Sequence, residues 1–281
     1  MNTSDLIKKA RKDIINFGFE SGGSSHYGGA LSMLDFLCVL YNEFLIQPKD
    51  LTTTSIRDYF VLSKGHSALG LYSVLYNKNY FDKDYFKTYL QNETDLIAHP
   101  IQNLKKGIES SNGSLGQGIS MSTGIAHALL KKGIDNKVYC VVGDGECNEG
   151  IVYEALNYAS HYKLKNLCVF LDLNGFQNDG SSKDVLDIDM KYKKIFESIG
   201  WETNLINGNN DDEIFRAGGG LHYEDKYGNG ADWGSIMTTE MAMERESSKE
   251  YYSEPIQQLI LEDIVKLKNY FFSLQKNILK Y

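Results

Sequence analysis

The chain has 281 residues, 42% of them apolar, enough to bury a full α/β core with room for an appendage. Its 37 acidic and 29 basic side chains give a net charge of −8, and no dense Lys/Arg block is present. That balance excludes a general nucleic-acid-binding surface; a bound polyanion would have to be neutralised locally, by a metal or by helix N-termini. No apolar run reaches the ~18 residues of a membrane span, and the opening MNTSDLIKKARKD lacks a signal-peptide core. Cys38, Cys140, Cys147 and Cys168 show no metal-ligand spacing, which suits reduced thiols. The expectation is a soluble cytoplasmic α/β protein.

Residues 5–19 carry Leu6, Ala10, Ile14 and Phe17 on one side, predicting an amphipathic helix. The segment SGGSSHYGG, 21–29, is loop punctuation around one imidazole, His26. Helical spacing returns over 30–44 with Leu34, Leu37, Val39 and Leu40. Residues 58–62 read as a short strand, and the SKGH step at 63–66 enters a helix running to about residue 77. His66 therefore falls at a strand end. Another helix is predicted over 82–90, leading to Ile97-Ala98-His99-Pro100. SSNGSLGQG, 110–118, opens a helix to about residue 132; small residues there serve either close packing or a cofactor floor.

Residues 138–180 organise the chain. The apolar run at 138–142 is short enough for a buried parallel strand and breaks at Gly143-Asp144-Gly145. Ile151, Ala155, Tyr158 and Ala159 then follow helical spacing, and a second apolar run, 167–173, ends at Asn174-Gly175. Both strand ends of such a unit open on the ligand-binding edge of a parallel sheet. Asp144 offers an anionic oxygen and Asn174 a neutral one, as magnesium prefers, completed by phosphate and water. A strand-to-helix turn with a capping Asp and an unrelated Asn fits the same spacing, which leaves both open. Glu149 and Glu154 at the helix start complement its dipole, as His161 does at its end.

Further on, residues 187–200 predict a helix and 201–206 a strand, ending at Asn207-Gly208-Asn209-Asn210. The glycine-rich AGGGLHYEDKYGNGADWGS, 217–235, has no assignment. A polar helix is expected over 238–252, and from Pro255 a longer one whose apolar stripe includes Ile256, Ile260, Ile264, Leu267, Phe271, Leu274 and Ile278.

GDG followed about thirty residues later by NG resembles the thiamine diphosphate-binding motif, and the surrounding segments resemble the transketolase family. The resemblance covers roughly residues 6–208 through SSHYGG, SKGH, AHP, SNGSLGQG and GDG…NG. It implies a parallel-sheet thiamine diphosphate-binding fold of the diphosphate-binding type, with helices on both faces. It further implies a domain over 1–216, with 217–281 as a divergent segment and C-terminal helices, offered as an interface. The metal, Mg2+ or its stand-ins Ca2+ and Mn2+, would take Asp144, Asn174 and the backbone carbonyl of Phe176. Gly113, Ser114, Leu115, Gly145, Asn174, Asn209 and His66 would bind the cofactor. His26, His66 and His99 would orient substrate hydroxyls and phosphates, and Glu149 would sit near the dimer axis. Tyr27 replaces the usual Pro, His99 lacks its preceding Gly, and Asn209 stands where the family has His. An amide bonds phosphate but neither carries charge nor moves a proton.

The family's second, pyrimidine-binding domain has no counterpart in this sequence. The implied protein is the N-terminal half of a split transketolase, active only with a separate C-terminal subunit in a hetero-oligomer of two of each chain. It would transfer a two-carbon ketol unit between sugars or sugar phosphates, with no nucleic acid and no membrane involved. Two alternatives stay open: another thiamine-dependent carboligase or lyase of an unusual sugar pathway, and a non-catalytic regulatory subunit of the same fold.

Overall fold

The computed structural model describes residues 1–23, 25–186, 191–210, 213–214 and the backbone of 235–240. The chain divides into two compact units, Met1–Met241 and Ala242–Tyr281, the second of which lies outside the described residues, as does the expected stripe helix from Pro255.

The centre of the first unit is a sheet of β1 (Tyr59–Leu62), β2 (Val138–Gly143), β3 (Leu167–Leu173), β6 (Glu202–Asn207) and β7 (Ser235–Glu240). Its order is β1-β2-β3-β7-β6, and every neighbouring pair is parallel. Period-two alternation divides the inner strands between two cores. Tyr139, Val141, Cys168 and Phe170 face one cluster; Val138, Cys140, Val142, Leu167, Val169 and Leu171 face the other. Burial on both faces is why β2 and β3 read as unbroken apolar runs.

The first cluster is roofed by α1 (Thr3–Glu20), α2 (Tyr27–Ser32), α3 (Leu34–Val39) and α4 (Ala68–Asn77). In α1 Asn2 caps the start by accepting from the Asp5 N–H at 2.8 Å, and the predicted stripe of Leu6, Ala10, Ile14 and Phe17 is buried. The second cluster is covered by α6 (Gln117–Lys131), α7 (Gly150–His161) and α9 (Tyr192–Ser198). Between them in sequence, α5 (Lys83–Phe86) is a single turn in place of the longer helix expected over 82–90. A hairpin, β4 (Phe176–Gln177) with β5 (Gly180–Ser181), leads into α8 (Ser182–Val185).

The expected polar helix over 238–252 is corrected at its start. Residues 235–240 form β7, inserted between β3 and β6 with Leu171 opposite Thr238 and Ile206 opposite Thr239. Local spacing of Met237 and Met241 imitates a helix face, but two unpaired parallel strands outweigh that preference by hydrogen-bonding both edges of the segment. The remainder of that expectation, and the start of the helix expected from residue 187, lie outside the described residues.

Candidate active site

The carboxyl ends of β1, β2 and β3 meet on one edge, where open parallel sheets form their crevice. From β1 the SKGH turn passes into α4 through a 3₁₀ turn, Gly65–Ser67, which holds the half-buried His66 beside two other imidazoles. His26 lies 5.4 Å from His66 and 6.2 Å from His99 between ring centroids. Three histidines from three separate segments thus share one place. Burial, then Lys64 and the two neighbouring imidazoles, holds His66 down to about 3. Burial and His26 lower His99 as well. Sequence alone allows His66 to donate either as a neutral ring or as a cation; its burial favours the neutral ring.

Asp144 follows β2 directly and is 2% exposed. Its Oδ1 accepts from the Gly145 N–H at 2.8 Å; its Oδ2 accepts from the Gly175 N–H at 3.1 Å and the Ser182 hydroxyl at 2.7 Å. Desolvation nevertheless raises its carboxyl above the ordinary range. The contact through Gly175 brings the loop that carries Asn174 against Asp144, so the acid and the amide, about thirty residues apart in sequence, are neighbours. Asn174 Oδ1 accepts from the Phe176 N–H at 2.9 Å in an Asx turn, while its Nδ2 lies 3.4 Å from Asp172 Oδ2. Phe176 opens the β4–β5 hairpin over the same edge.

The 110–118 loop packs on the SKGH turn. Gly116 has φ +82°, and a Cβ there would stand 2.2 Å from Ile151 Cγ2; at Gly118 it would stand 2.5 Å from Ser63 Cα. Both are packing glycines. Gly113 lies beside the His99 ring, and Gly113 and Ser114 are exposed with Leu115 half-buried. Glu149 and Asn209 are not drawn into the cluster. Glu149 is the exposed N-cap of α7, and Asn209 is exposed beyond β6, its N–H donating to Asn207 Oδ1 at 3.0 Å. Glu154 lies within α7. His127 donates to or accepts from the Tyr158 hydroxyl at 3.1 Å on the outer surface, away from the strand ends.

Several residues that build this edge carry no signal in the chain order. Glu146 is 1% exposed and accepts from the Ser63 hydroxyl at 2.5 Å, the Gly116 N–H at 2.6 Å and the Gly143 N–H at 3.1 Å. It ties three loops together. Lys64 and Asp172 form a fully buried ion pair that also takes the Ser32 hydroxyl. Gln177 in the hairpin and Ser182 just after it are equally silent. The only cue is residue type: an acid two places after Asp144, and a lysine inside an otherwise small-residue turn.

Among the described residues no group of three or more His, Cys, Asp or Glu could by itself hold a metal ion. The oxygen set at this edge is one carboxylate, one amide and one backbone carbonyl. That set fits a hard cation brought with a phosphate that completes its shell, and does not fit a free-standing protein cage. The raised Asp144 carboxyl, buried among neutral donors only, fits the same chemistry.

These features define an α/β domain whose crevice lies at the carboxyl edge of a parallel sheet. Residues 7–218 match the family described as transketolase, thiamine diphosphate binding domain, and the chain belongs to that family of transferases. It is 37% identical over 213 residues to one of the subunits of an apulose-4-phosphate transketolase from Actinobacillus succinogenes, covering 74% of this chain and 76% of that one. It is 36% identical over 196 residues to a 6-deoxy-6-sulfo-D-fructose transketolase subunit of a Clostridium species, covering 69% and 70%. Among solved structures, the transketolase of Campylobacter jejuni superposes with a TM-score of 0.72 at 28% identity, covering 85% of this chain and 38% of that one. The chain therefore spans little more than a third of such a full-length transketolase. Among the described residues no helix is long and apolar enough to cross a membrane.

Proposed function

We propose that this chain is the cofactor-binding subunit of a two-chain transketolase. The thiamine diphosphate-binding domain, expected over 1–216, extends to β7, which lies inside its sheet, and residues beyond that strand serve the interface. A separate subunit carrying a pyrimidine-binding domain completes the site, two copies of each chain assembling in the cytoplasm. The observation that carries the reading is the contact between the Asp144 carboxylate and the Asn174–Gly175 turn, on a chain that also gathers three histidines in one cluster. The two relatives named as subunits, whose lengths this chain covers by 76% and 70%, support the division into two polypeptides.

In this reading Asp144, Asn174 and the Phe176 carbonyl hold Mg2+ with the diphosphate. Gly145, over which the Gln177 carboxamide lies, touches the diphosphate; Gly113, Ser114 and Leu115 line the ring pocket. When bound, thiamine diphosphate supplies the nucleophilic carbon that carries a two-carbon ketol unit from a ketose to an aldose. The protein's part is placement. A neutral His66 donates an N–H to phosphate oxygen without itself exchanging a proton near neutral pH, since it takes up a second proton only at about 3. The exposed His26 and the half-buried His99 orient substrate hydroxyls at the mouth. Glu149, exposed at the start of α7, faces the dimer axis, and Asn209 gives a neutral hydrogen bond to cofactor or substrate. Two relatives are named for sugars with an anionic group, a phosphate and a sulfonate; a ketose of that kind is the substrate class for this chain.

The test is Mg2+-dependent binding of thiamine diphosphate by calorimetry, alone and with the partner subunit, for wild type, Asp144→Ala and Asn174→Ala. Loss of binding in both variants, with ketol transfer appearing only when the two subunits are mixed, is the expected result. Unchanged binding in both would remove the metal assignment, and robust turnover by the single chain would remove the split-subunit reading.

A further inference from the structure

Of the eight buried side-chain polar atoms lacking a hydrogen-bond partner among the described residues, four belong to the active edge: Ser67 Oγ, Asn112 Oδ1, Asp172 Oδ1 and Gln177 Nε2. A buried polar group without a partner costs about 1–3 kcal/mol, so such a concentration marks where a ligand is to be met. Gln177 is the one whose carbonyl oxygen is already taken by a neighbouring side-chain amide. The Tyr192 hydroxyl donates to the Asp144 carbonyl at 3.1 Å and lies 3.5 Å from Asn148 Oδ1. Asn148 Nδ2 in turn donates to Gln177 Oε1 at 3.0 Å. With Asn148 so oriented, flipping the Gln177 amide alone would set donor against donor. Nε2 therefore keeps its two hydrogens for something else.

Its place is also fixed. A Cβ built on Gly145 would stand 3.0 Å from Gln177 Cγ and 3.2 Å from both Cδ and Oε1, so the carboxamide lies over Gly145 in the space its missing side chain leaves. The hairpin pairs Gln177 with Gly180 and holds the backbone. The nearby ammonium, Lys64, is committed to Asp172, so an anion at this edge must draw on neutral donors and a cation. Glutamine supplies such a donor.

We propose that Gln177 binds the diphosphate, its Nε2 donating to a phosphate oxygen at this edge. The inference rests on the diphosphate reading of Asp144 given above and adds a residue to it. The probe is magnesium pyrophosphate, titrated into the full-length chain to millimolar concentration, with calorimetry and the Gln177 side-chain amide resonance as readouts. Gln177→Leu is expected to weaken binding by roughly 10- to 100-fold, the range of one hydrogen bond to a charged group. Gln177→Glu, which places like charge beside the ligand, weakens it further; in the wild type the amide protons shift on titration. The half-buried hairpin position makes both variants foldable, which unchanged melting midpoints would verify. If Asp144→Ala loses binding while Gln177→Leu stays within twofold of wild type, or the amide signal does not move, Gln177 is not a ligand and the diphosphate reading survives. If wild type fails to bind, or Asp144→Ala binds as well as wild type, that reading falls and the inference falls with it.

Discussion

Two carboxylates sit at neighbouring strand ends and are buried alike, yet their surroundings differ. Asp172, 1% exposed, is matched by the Lys64 ammonium and the Ser32 hydroxyl. Asp144, 2% exposed, has two backbone N–H groups and the Ser182 hydroxyl, and its carboxyl is pushed upward by desolvation. One charge is neutralised inside the protein and its work is structural. The other is hydrogen-bonded by neutral donors only, with Lys64 acting on it from a distance and Asp172 against it, and retains a demand for positive charge. Equal burial of two acids therefore says little about role; the partner's charge says more.

The largest effect should come from the neutralised acid. Lys64→Met leaves Asp172 buried without its counter-charge and is expected to cost about 3–5 kcal/mol in denaturant unfolding. Adding Asp172→Leu to it should recover much of that loss, because replacing both partners removes the uncompensated charge. Asp144→Asn, by contrast, is expected to cost under about 2 kcal/mol while abolishing Mg2+-dependent pyrophosphate binding. If the two single variants destabilise equally, the division between a structural and a cation-seeking acid is mistaken.

Glu146 sharpens the comparison as a third buried acid with only neutral donors, raised by desolvation like Asp144. Here the donors come from the SKGH turn, the 110–118 loop and the end of β2, and Ser63 Oγ also accepts from the Ile119 N–H at 3.0 Å. Glu146→Ala orphans those donors together and is expected to cost about 3 kcal/mol. Urea unfolding measures it, and a cost under about 1 kcal/mol would show that the loops are held by packing alone.

How much of this is legible in the sequence follows the range of the interactions. The β2–α7–β3 unit is readable because its strand, turn and helix signals are contiguous, and the edge follows from parallel topology. Asp144, Asn174 and the three histidines stand out through the short motifs around them. Asp172 is hidden inside an apolar run, and its partners Lys64 and Ser32 are 108 and 140 residues away. Glu146 reads only as a helix-start acid, since its acceptor role depends on a turn 83 residues earlier. β7 escapes for the same reason: its six residues gain their identity from strands on either side and carry little of their own.

His66 adds a pH signature that the acids do not. Its ordinary value is 6.5, and the folded chain holds it at about 3. Between those limits the unfolded chain binds the proton and the folded chain does not, so stability falls as the pH drops through that window. His66→Gln, which cannot titrate, is expected to flatten the fall in melting temperature from about pH 6.5 down to about pH 4. An unchanged slope would place the imidazole in water and undo its reading as a neutral donor.

The smallest effect returns to the cation-seeking acid. Ser182→Ala removes one donor from Asp144 and leaves the two backbone N–H groups, with an expected cost of about 1 kcal/mol at neutral pH. The hydroxyl favours the charged carboxylate, so its loss raises the carboxyl further and matters less once the acid is protonated. Asp144 is already raised in the folded chain, so its contribution to stability is largest at low pH and falls as the pH rises through that raised value. The difference between variant and wild type should therefore widen as the pH rises through that raised value and shrink again when Mg2+ and pyrophosphate are added, since a bound cation takes over the charge that the serine was helping to hold. A difference constant across pH would mean that Ser182 acts through packing alone, and that Asp144 draws its stabilisation from the two glycine amides.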